Sequence, residues 1–330
     1  MRELDVEAGA EALARGGLVA FPTETVYGLG ADASQPEAVA RIFAVKGRPP
    51  THPLIVHLAS AADLDAWARA VPPFARRLAD LFMPGPLTLI LPRAEHVSDV
   101  VTGGRDTVGL RVPAHPLALA LIRGLSRRSG RAAGVAAPSA NRFGSVSPTT
   151  ADHVRADLAG EDVALLDGGP CSVGVESTIV DCASPESPCI LRLGGLPREE
   201  LEAALGAPVP LATEGPARAP GMLAAHYAPR ARVIATSREH LAEVCAAERA
   251  RGARVASLGS RICEGAEVCV VTGDDDRSLA RTLYATLREL DARGVDVIVV
   301  ELPEARGLGA AIADRLRRAA RAGQAEEPGA

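Results

Sequence analysis

The sequence predicts an α/β protein in two parts: a mixed-sheet domain, then a small Rossmann-like domain with a parallel sheet. Three observations predict it. Short apolar runs and helically spaced segments alternate irregularly between Leu18 and Leu193, which favours one mixed sheet over a clean doubly wound one. Prolines at 208, 210, 216, 220 and 229 and glycines at 206, 215 and 221 mark 206–230 as a linker. From Arg232 onward, strand and helix patterns alternate regularly, the signature of a small parallel sheet.

Taken in order, Leu18–Phe21 reads as a buried strand between Gly16-Gly17 and Pro22. The polar triplet Thr23-Glu24-Thr25 follows it, and polar residues just after a buried strand often line a site. Pro36–Val45 has helical spacing with Pro in its first turn. Pro53–Leu58, Leu87–Leu91, Val108–Val112, Val135–Ala137, Ala164–Leu166, Ser177–Val180 and Ile190–Leu193 are strands by their apolar runs; Ala61–Ala70, Pro73–Phe82 and Leu117–Ser126 are helices. Beyond the linker come strand Arg232–Ala235, helix Ser237–Arg251, strands Arg254–Leu258 and Val268–Val271, helix Arg277–Arg293, strand Val295–Glu301 and helix Ala310–Ala322. The expected boundaries are therefore 1–205, a linker over 206–230, 231–322, and a disordered tail over 323–330.

Composition narrows the function classes. At 330 residues the chain exceeds what one small core needs, and 47% hydrophobic with 23% charged residues excludes wholesale disorder. No apolar run approaches the roughly 18–20 residues that span a bilayer, so no membrane association is expected. The opening Met1-Arg2-Glu3-Leu4-Asp5 lacks the apolar core of an export signal. None of the six cysteines forms a C-x-x-C pair, so no zinc or redox motif is expected, and free thiols point to the cytoplasm. A net charge of -5 argues against a surface that wraps nucleic acid but permits a local basic cleft. Of 36 basic residues a single one is lysine, Lys46.

Lys46-Gly47-Arg48 follows the first helix. Two cations around a glycine can face one polyphosphate, although the triplet alone fits a solvated helix end better. Ser139 and Asn141, after a short strand, can cap a helix or hold a nucleotide. Arg111 lies between Leu110 and Val112, and Arg192 between Leu191 and Leu193. A guanidinium buried there needs an anion; on an edge strand it would face water instead. His52 and His57 have no carboxylate pattern that would complete a metal site, so no metal held by protein ligands alone is expected. Gly307-Leu308-Gly309 begins like a dinucleotide fingerprint, but position 312 is Ile, leaving a strand–helix turn.

Together these segments resemble a known family. Phe21-Pro-Thr-Glu-Thr-Val-Tyr-Gly-Leu-Gly30, Lys46-Gly-Arg48, Pro53-Leu-Ile-Val-His57, Pro84-Gly-Pro-Leu-Thr88, Gly109-Leu-Arg-Val-Pro113, Pro138-Ser-Ala-Asn141, Glu176-Ser-Thr178 and Leu191-Arg-Leu-Gly-Gly195 occur in that order. The set resembles the YrdC-like threonylcarbamoyl-AMP synthases, and Pro220-Gly-Met222 with His226-Tyr-Ala-Pro229 resembles their two-domain Sua branch. The resemblance implies a twisted mixed sheet around a deep positive cleft. It implies a nucleotidyltransferase that condenses L-threonine, bicarbonate and ATP, with Mg²⁺ on the ATP, to threonylcarbamoyl-AMP and pyrophosphate. The product would pass to the tRNA threonylcarbamoyl transferase machinery, with a transient tRNA contact. By resemblance Lys46 and Arg48 are catalytic. Arg48, His52, Thr107, Ser139, Asn141, Ser147, Thr149, Arg192 and Tyr227 would bind ATP. Thr25, His57, Arg111, Ser139 and Ser177 would bind threonine, and the linker, with His226 and Tyr227, would cover the cleft. The chain departs from the family's usual pattern at His52, where Asn is common, and at Leu223–Ala225 before the His-Tyr pair.

The residues themselves agree with such a reaction. An amine attacking bicarbonate-derived carbon and a carbamate meeting the α-phosphorus need positioning and charge stabilisation but no protein nucleophile. Two other classes fit less well. An RNA-binding module would use the same cleft, against an acidic net charge and 3% aromatic residues. A carbamoyl-transfer enzyme of the hydrogenase-maturation type would carry C-x-x-C zinc modules, and this chain has none.

Overall fold

The computed structural model describes residues 1–184, 186–212, 227–272 and 275–324. Among them the chain divides into two compact units. The first holds 1–143, 147–172 and 176–212; the second holds 144–146, 173–175 and 227–324.

In the first unit ten strands form one mixed sheet: β1 (Arg2–Glu3), β2 (Val19–Phe21), β3 (Gly28–Asp32), β4 (Ile55–His57), β5 (Leu87–Pro92), β6 (Thr107–Arg111), β7 (Val135–Ala136), β8 (Ala164–Leu165), β9 (Thr178–Asp181) and β10 (Cys189–Arg192). Their order is β1-β8-β2-β3-β7-β4-β6-β5-β9-β10. β4 runs parallel to β6 and β5 to β9, while β7–β4, β6–β5 and β9–β10 are antiparallel. The irregular alternation of elements in the sequence thus becomes a mixed sheet.

The alternation of side chains along these strands makes two unlike faces. Leu54, Val56 and Leu58, then Val108, Leu110 and Val112, then Leu87, Leu89 and Leu91 all enter the large core that also holds Ile42, Trp67 and Leu78. The residues between them point the other way. There, a second cluster packs Ala10, Leu13, Leu121 and Leu125 from helices Val6–Ala14 and Pro116–Ser129 on Val19, Phe21 and Val135. Ile55, Ile90, Ile179 and Leu191 form a small separate patch on that side.

Some elements depart from the sequence expectation. Ala61–Ala70 is a 3₁₀ turn (Ala61–Asp63) running into a four-residue helix (Leu64–Trp67). Helix Val6–Ala14, strand β3 and helix Arg198–Leu205 had no assignment. β3 is Gly-Leu-Gly-Ala-Asp, a composition that reads as a turn. It is a strand because its glycines leave room for Phe21 and Val135 on its neighbours: a Cβ on Gly30 would lie 2.6 Å from Val135 Cγ1 and 2.8 Å from Phe21 Cε1. Past Leu205 the backbone pairs with the sheet edge. Ile190 N donates to Pro210 O and Ala212 N to Ile190 O, both at 2.8 Å, and Val209 is wholly buried.

The second unit has a four-stranded parallel sheet of β11 (Arg232–Thr236), β12 (Val255–Gly259), β13 (Val268–Val271) and β14 (Val297–Glu301), in the order β11-β14-β12-β13. Helices Leu241–Ala250, Asp276–Ala292 and Gly307–Gln324 complete it, as the regular strand–helix pattern predicts. Leu283, Leu287 and Leu290 of the long middle helix are buried. No helix among the described residues is long and apolar enough to cross a membrane.

A tight passage sits beside β9. A Cβ on Gly194 would strike the carbonyl of Glu176 and the backbone of Ser177 and Thr178. These are backbone atoms and cannot rotate away. Gly194→Ala is therefore expected to destabilise the first unit by about 1–3 kcal/mol, read as a lower urea midpoint at unchanged slope.

Candidate active site

The site begins as a row across five adjacent strands. Register pairs His57 of β4 with Arg111 of β6, and the Leu89–Leu110 pair sets Thr88 of β5 opposite Arg111. Thr88 pairs with Ile179 of β9, which pairs with Arg192 of β10. Laterally paired residues share a face, and this face is opposite the large core. Arg111 is on a central strand and 4% exposed, which settles the choice between a buried cation and a wet edge.

Its anion comes from the chain itself. Arg111 Nη2 donates to Glu24 Oε1 and to Thr25 Oγ1, each at 2.8 Å, while Glu24 Oε2 accepts from Ala114 N at 3.0 Å. Thr23 shapes the turn that aims Glu24 inward. Its hydroxyl donates to Val26 O at 2.6 Å and accepts from the amides of Thr25 and Val26. Arg111 Nε is buried without a hydrogen-bond partner among the described residues, as is His57 Nδ1. Burial, with the Arg111 charge acting the same way, pushes the His57 imidazole down to about 3 from its ordinary 6.5. His57 is thus neutral at physiological pH. Its contribution to stability is complete above pH 6.5 and is lost as pH falls toward 3.

At the other end of the row Arg192 donates to Ser177 O from Nε at 3.1 Å and from Nη2 at 2.9 Å, and from Nη2 to Ser177 Oγ at 3.1 Å. Ser177 Oγ also bonds Thr88 Oγ1 at 2.8 Å. Arg192 therefore fixes Ser177, a residue the sequence reading placed with the other substrate. Next to Ser177, Glu176 Oε1 accepts from Ser147 Oγ at 2.7 Å. Thr149 is buried, its amide donating to His153 Nδ1 at 3.2 Å.

A second cluster forms around Lys46. Helix Pro36–Lys46 ends there, and Gly47 takes the left-handed conformation (φ 65°) that closes the helix. Lys46 Nζ donates to Ser139 O at 2.6 Å and to Asn141 O, and Ser139 Oγ donates to Asn141 Oδ1 at 2.5 Å. The solvated-helix-end reading of the triplet does not hold: Lys46 is 3% exposed and Arg48 8%. Arg48 Nη2 donates to Pro53 O at 3.1 Å. Burial, with the Arg48 charge next, holds the Lys46 pKa well below the usual lysine range. Segment 23–28 ties the two clusters together: Gly28 bridges to Ser139, Ala140 N donates to Tyr27 O, and Tyr27 N donates to Pro148 O. Four buried cations (Lys46, Arg48, Arg111, Arg192) thus meet two buried carboxylates (Glu24, Glu176), an excess of positive charge suited to an anionic ligand.

The structure places Thr25, His57, Arg111, Ser177 and Arg192 along the sheet row and Lys46, Ser139 and Asn141 in the second cluster, while Arg48, Ser147 and Thr149 are buried. His52 stands nearby, its ring 5.6 Å from that of Phe143, with its pKa lowered by burial, Arg48 and Arg105. Thr107 begins β6 and Arg111 ends it, a separation of about 13 Å at 3.3 Å per residue. Tyr227 belongs to the second unit, where its ring is buried, stacks on Tyr284 at 5.9 Å and lies under the Arg315 guanidinium at 5.2 Å. His226 and Leu223–Ala225 lie outside the described residues, as do 213–222 of the linker and most of the expected tail. Glu24, Glu176 and Thr88 had no role in the sequence reading. The signal for Glu24 was present, a carboxylate between two threonines just after a buried strand.

Comparison with known proteins agrees with both units. A family model described as "Telomere recombination" matches residues 11–194, and one described as "Threonylcarbamoyl-AMP synthase, C-terminal domain" matches 196–321. A threonylcarbamoyl-AMP synthase of Pyrococcus abyssi is 45% identical over 97% of this chain and 95% of its own length; one of Bacillus subtilis is 42% identical over 92% and 89%. The crystal structure of P. abyssi Sua5 complexed with L-threonine superposes with a TM-score of 0.90 at 44% identity, covering 96% of this chain and 94% of that one. With both units matched over nearly their whole length, the chain belongs to the two-domain Sua5 family of threonylcarbamoyl-AMP synthases.

Proposed function

We propose that this protein is an L-threonylcarbamoyladenylate synthase, a nucleotidyltransferase that joins L-threonine, bicarbonate and ATP and releases pyrophosphate. The observation that carries the proposal is two linked clusters of buried charge, one around Arg111, which keeps an unpartnered Nε, and one around Lys46 and Arg48. Two anions have to be held at once, an amino acid's carboxylate and a nucleotide's phosphates, and each cluster suits one of them.

In this reading threonine's carboxylate meets the unpartnered Nε edge of Arg111, whose other edge is fixed by Glu24 and Thr25. Ser177, fixed by Arg192, and the neutral His57 offer hydrogen bonds to the hydroxyl and the amine. A neutral imidazole nearby does not oppose loss of the ammonium proton, which must precede attack on carbon dioxide or bicarbonate. The carbamate oxygen then bonds the α-phosphorus while the bond to pyrophosphate breaks. Lys46 and Arg48 offset the charge leaving with pyrophosphate, and Ser139, Asn141, Ser147 and Thr149 surround the nucleotide. Mg²⁺ enters with ATP and supplies further charge neutralisation on the phosphates. The charges acting on Lys46 are Arg48, Asp157 and Arg142, more cationic than anionic, which fits a metal that would be held by the phosphates. In this reading any cover over the filled cleft comes from the linker outside the residues that pair with the sheet edge, and the product is passed on for tRNA modification.

Mass spectrometry of the protein mixed with threonine, bicarbonate, Mg²⁺ and ATP is expected to detect threonylcarbamoyl-adenylate. Lys46→Ala is expected to cut pyrophosphate release by about 10²–10³-fold and leave threonine binding intact; equal release by the variant would reject the role given to Lys46. The pH dependence follows from His57. Because its folded pKa is depressed, the Michaelis constant for threonine should show no inflection near pH 6.5 that His57→Asn removes. For the linker, a chain ending after Ala212 keeps Val209 in the core and the pairing with β10. It is expected to fold yet lose coupled turnover, and unchanged kinetics would dismiss the cover.

A further inference from the structure

The second unit holds a cavity of about 350 Å³ that the proposed synthesis does not use. It opens at the carboxyl ends of the parallel strands. Gly259 ends β12, Glu301 ends β14, and both line it with Ser260 and Thr272, which follow β12 and β13. In open parallel sheets this is where ligands bind, and the volume is in the range of small-molecule sites. Gly259 keeps the floor clear, since a Cβ there would lie 2.9 Å from Glu301 Oε2 and from Leu241 Cδ2. The Gly307-Leu308-Gly309 turn opens the helix beyond β14, directly after the lining residue Arg306.

The lining narrows the ligand's chemistry. Leu258, Leu279 and Leu316 make an apolar wall. Among the described residues the charged lining is two arginines against three carboxylates, Arg238 and Arg306 against Asp276, Glu301 and Glu304. Each arginine is already paired, Arg238 with Glu301 and Arg306 with Glu304, both at 2.7 Å. The helix start is also occupied, because the Gly309 amide bonds the Asp276 carboxylate. The two usual anchors for a phosphate, an unpaired cation and an open helix N-terminus, are both taken by the chain's own acids. Glu301 is taken as well, accepting from Arg238 Nε, Ser260 N and Ser260 Oγ at 2.7, 2.8 and 2.9 Å, so what remains toward the cavity is carboxylate acceptor capacity on Asp276 beside an apolar wall. That combination fits a planar apolar group carrying adjacent hydroxyl donors.

We infer that this cavity binds a ribonucleoside, its base against Leu258, Leu279 and Leu316 and its 2′,3′-diol donating to the Asp276 carboxylate. Phosphorylated forms bind more weakly, because phosphate adds charge to a net acidic lining. The site needs nothing from the first unit's chemistry, so it stands or falls separately from the synthase reading.

Hydrogen–deuterium exchange on the full chain tests it, with adenosine, guanosine, cytidine and uridine as probes at millimolar concentration. At least one is expected to slow exchange across 258–260 and 301–309. The 2′,3′-dideoxy form of that nucleoside is expected to bind at least tenfold more weakly, and its 5′-monophosphate more weakly too. Asp276→Asn should lower its affinity about tenfold, and Leu279→Trp, which fills the cavity from the apolar wall, should abolish the protection even if Asp276→Asn unfolds the unit. The inference is overturned if no nucleoside protects these segments, if the dideoxy form binds equally well, or if threonine protects them and nucleosides do not.

Discussion

The ion pair between Arg111 and Glu24 organises the first unit's site. Both groups are nearly buried, and their 2.8 Å contact lies in the middle of a ten-stranded sheet. A guanidinium in that position without an anion would carry a large desolvation cost, and removing one partner of such a pair typically costs about 3–5 kcal/mol. The pair fixes more than charge. It pins segment 23–25 against β6, and the same segment continues into Tyr27 and Gly28, which hold Pro148, Ser139 and Ala140 in place. The Lys46 carbonyl partners are thereby positioned from the Arg111 side. The pair also leaves Arg111 with spare donor capacity and little net charge, so a bound carboxylate is recognised by geometry more than by bulk attraction.

The two faces of the sheet explain how polar residues can be buried here without unfolding it. Every second residue of β4, β5 and β6 enters the large apolar core, and that face supplies the stability. The opposite face has its own apolar clusters, Phe21 and Val135 beyond the β4 end of the row and Ile55, Ile90, Ile179 and Leu191 alongside it. His57, Arg111, Thr88 and Ser177 sit beside them. Gly109, on the same face as Arg111, lets Ile90, Ile55 and Thr88 close up around the strand; its absent Cβ would fall 3.2 Å from Ile90 Cδ1. Hydrogen bonds across the row then satisfy nearly every buried donor, with Arg111 Nε and His57 Nδ1 as exceptions at the place where a substrate is proposed.

Much of this was legible in the sequence, for reasons that differ by element. Leu-Ile-Val-His-Leu, Val-Gly-Leu-Arg-Val and Leu-Thr-Leu-Ile-Leu are each strands by alternation, and each places one polar residue on the face away from the core. Arg111 stood out because a charge interrupted an apolar run. The parallel sheet of the second unit was visible because long helices with a Leu face separate its strands. What escaped were features that depend on distant partners. β3 has glycines where a strand usually has branched residues, and it becomes a strand through what lies beside it. Glu24 was visible as a polar residue, but nothing local to it says that its cation lies 87 positions away. The resemblance assigns Arg192 to the nucleotide; its hydrogen bonds to Ser177, which come from the β9–β10 register, are not visible in the sequence.

The single lysine in a chain otherwise furnished with arginine also has a structural reason. Ser139 O and Asn141 O, two residues apart on one bend, converge on a single point at Nζ. A tetrahedral ammonium can give one hydrogen to each and direct a third elsewhere, whereas a guanidinium spreads its donors in a plane several ångströms across. The space at the end of helix Pro36–Lys46 is closed by Phe143, whose amide donates to the Lys46 carbonyl at 2.9 Å. An arginine there would have to bring a planar fork of nitrogens to the point where one Nζ now meets both carbonyls. The same burial that favours the compact group also lowers its pKa, and an anion bound there would act in the opposite direction. Position 46 therefore links the shape of the loop, the state of the proton and the proposed arrival of a polyphosphate in one side chain.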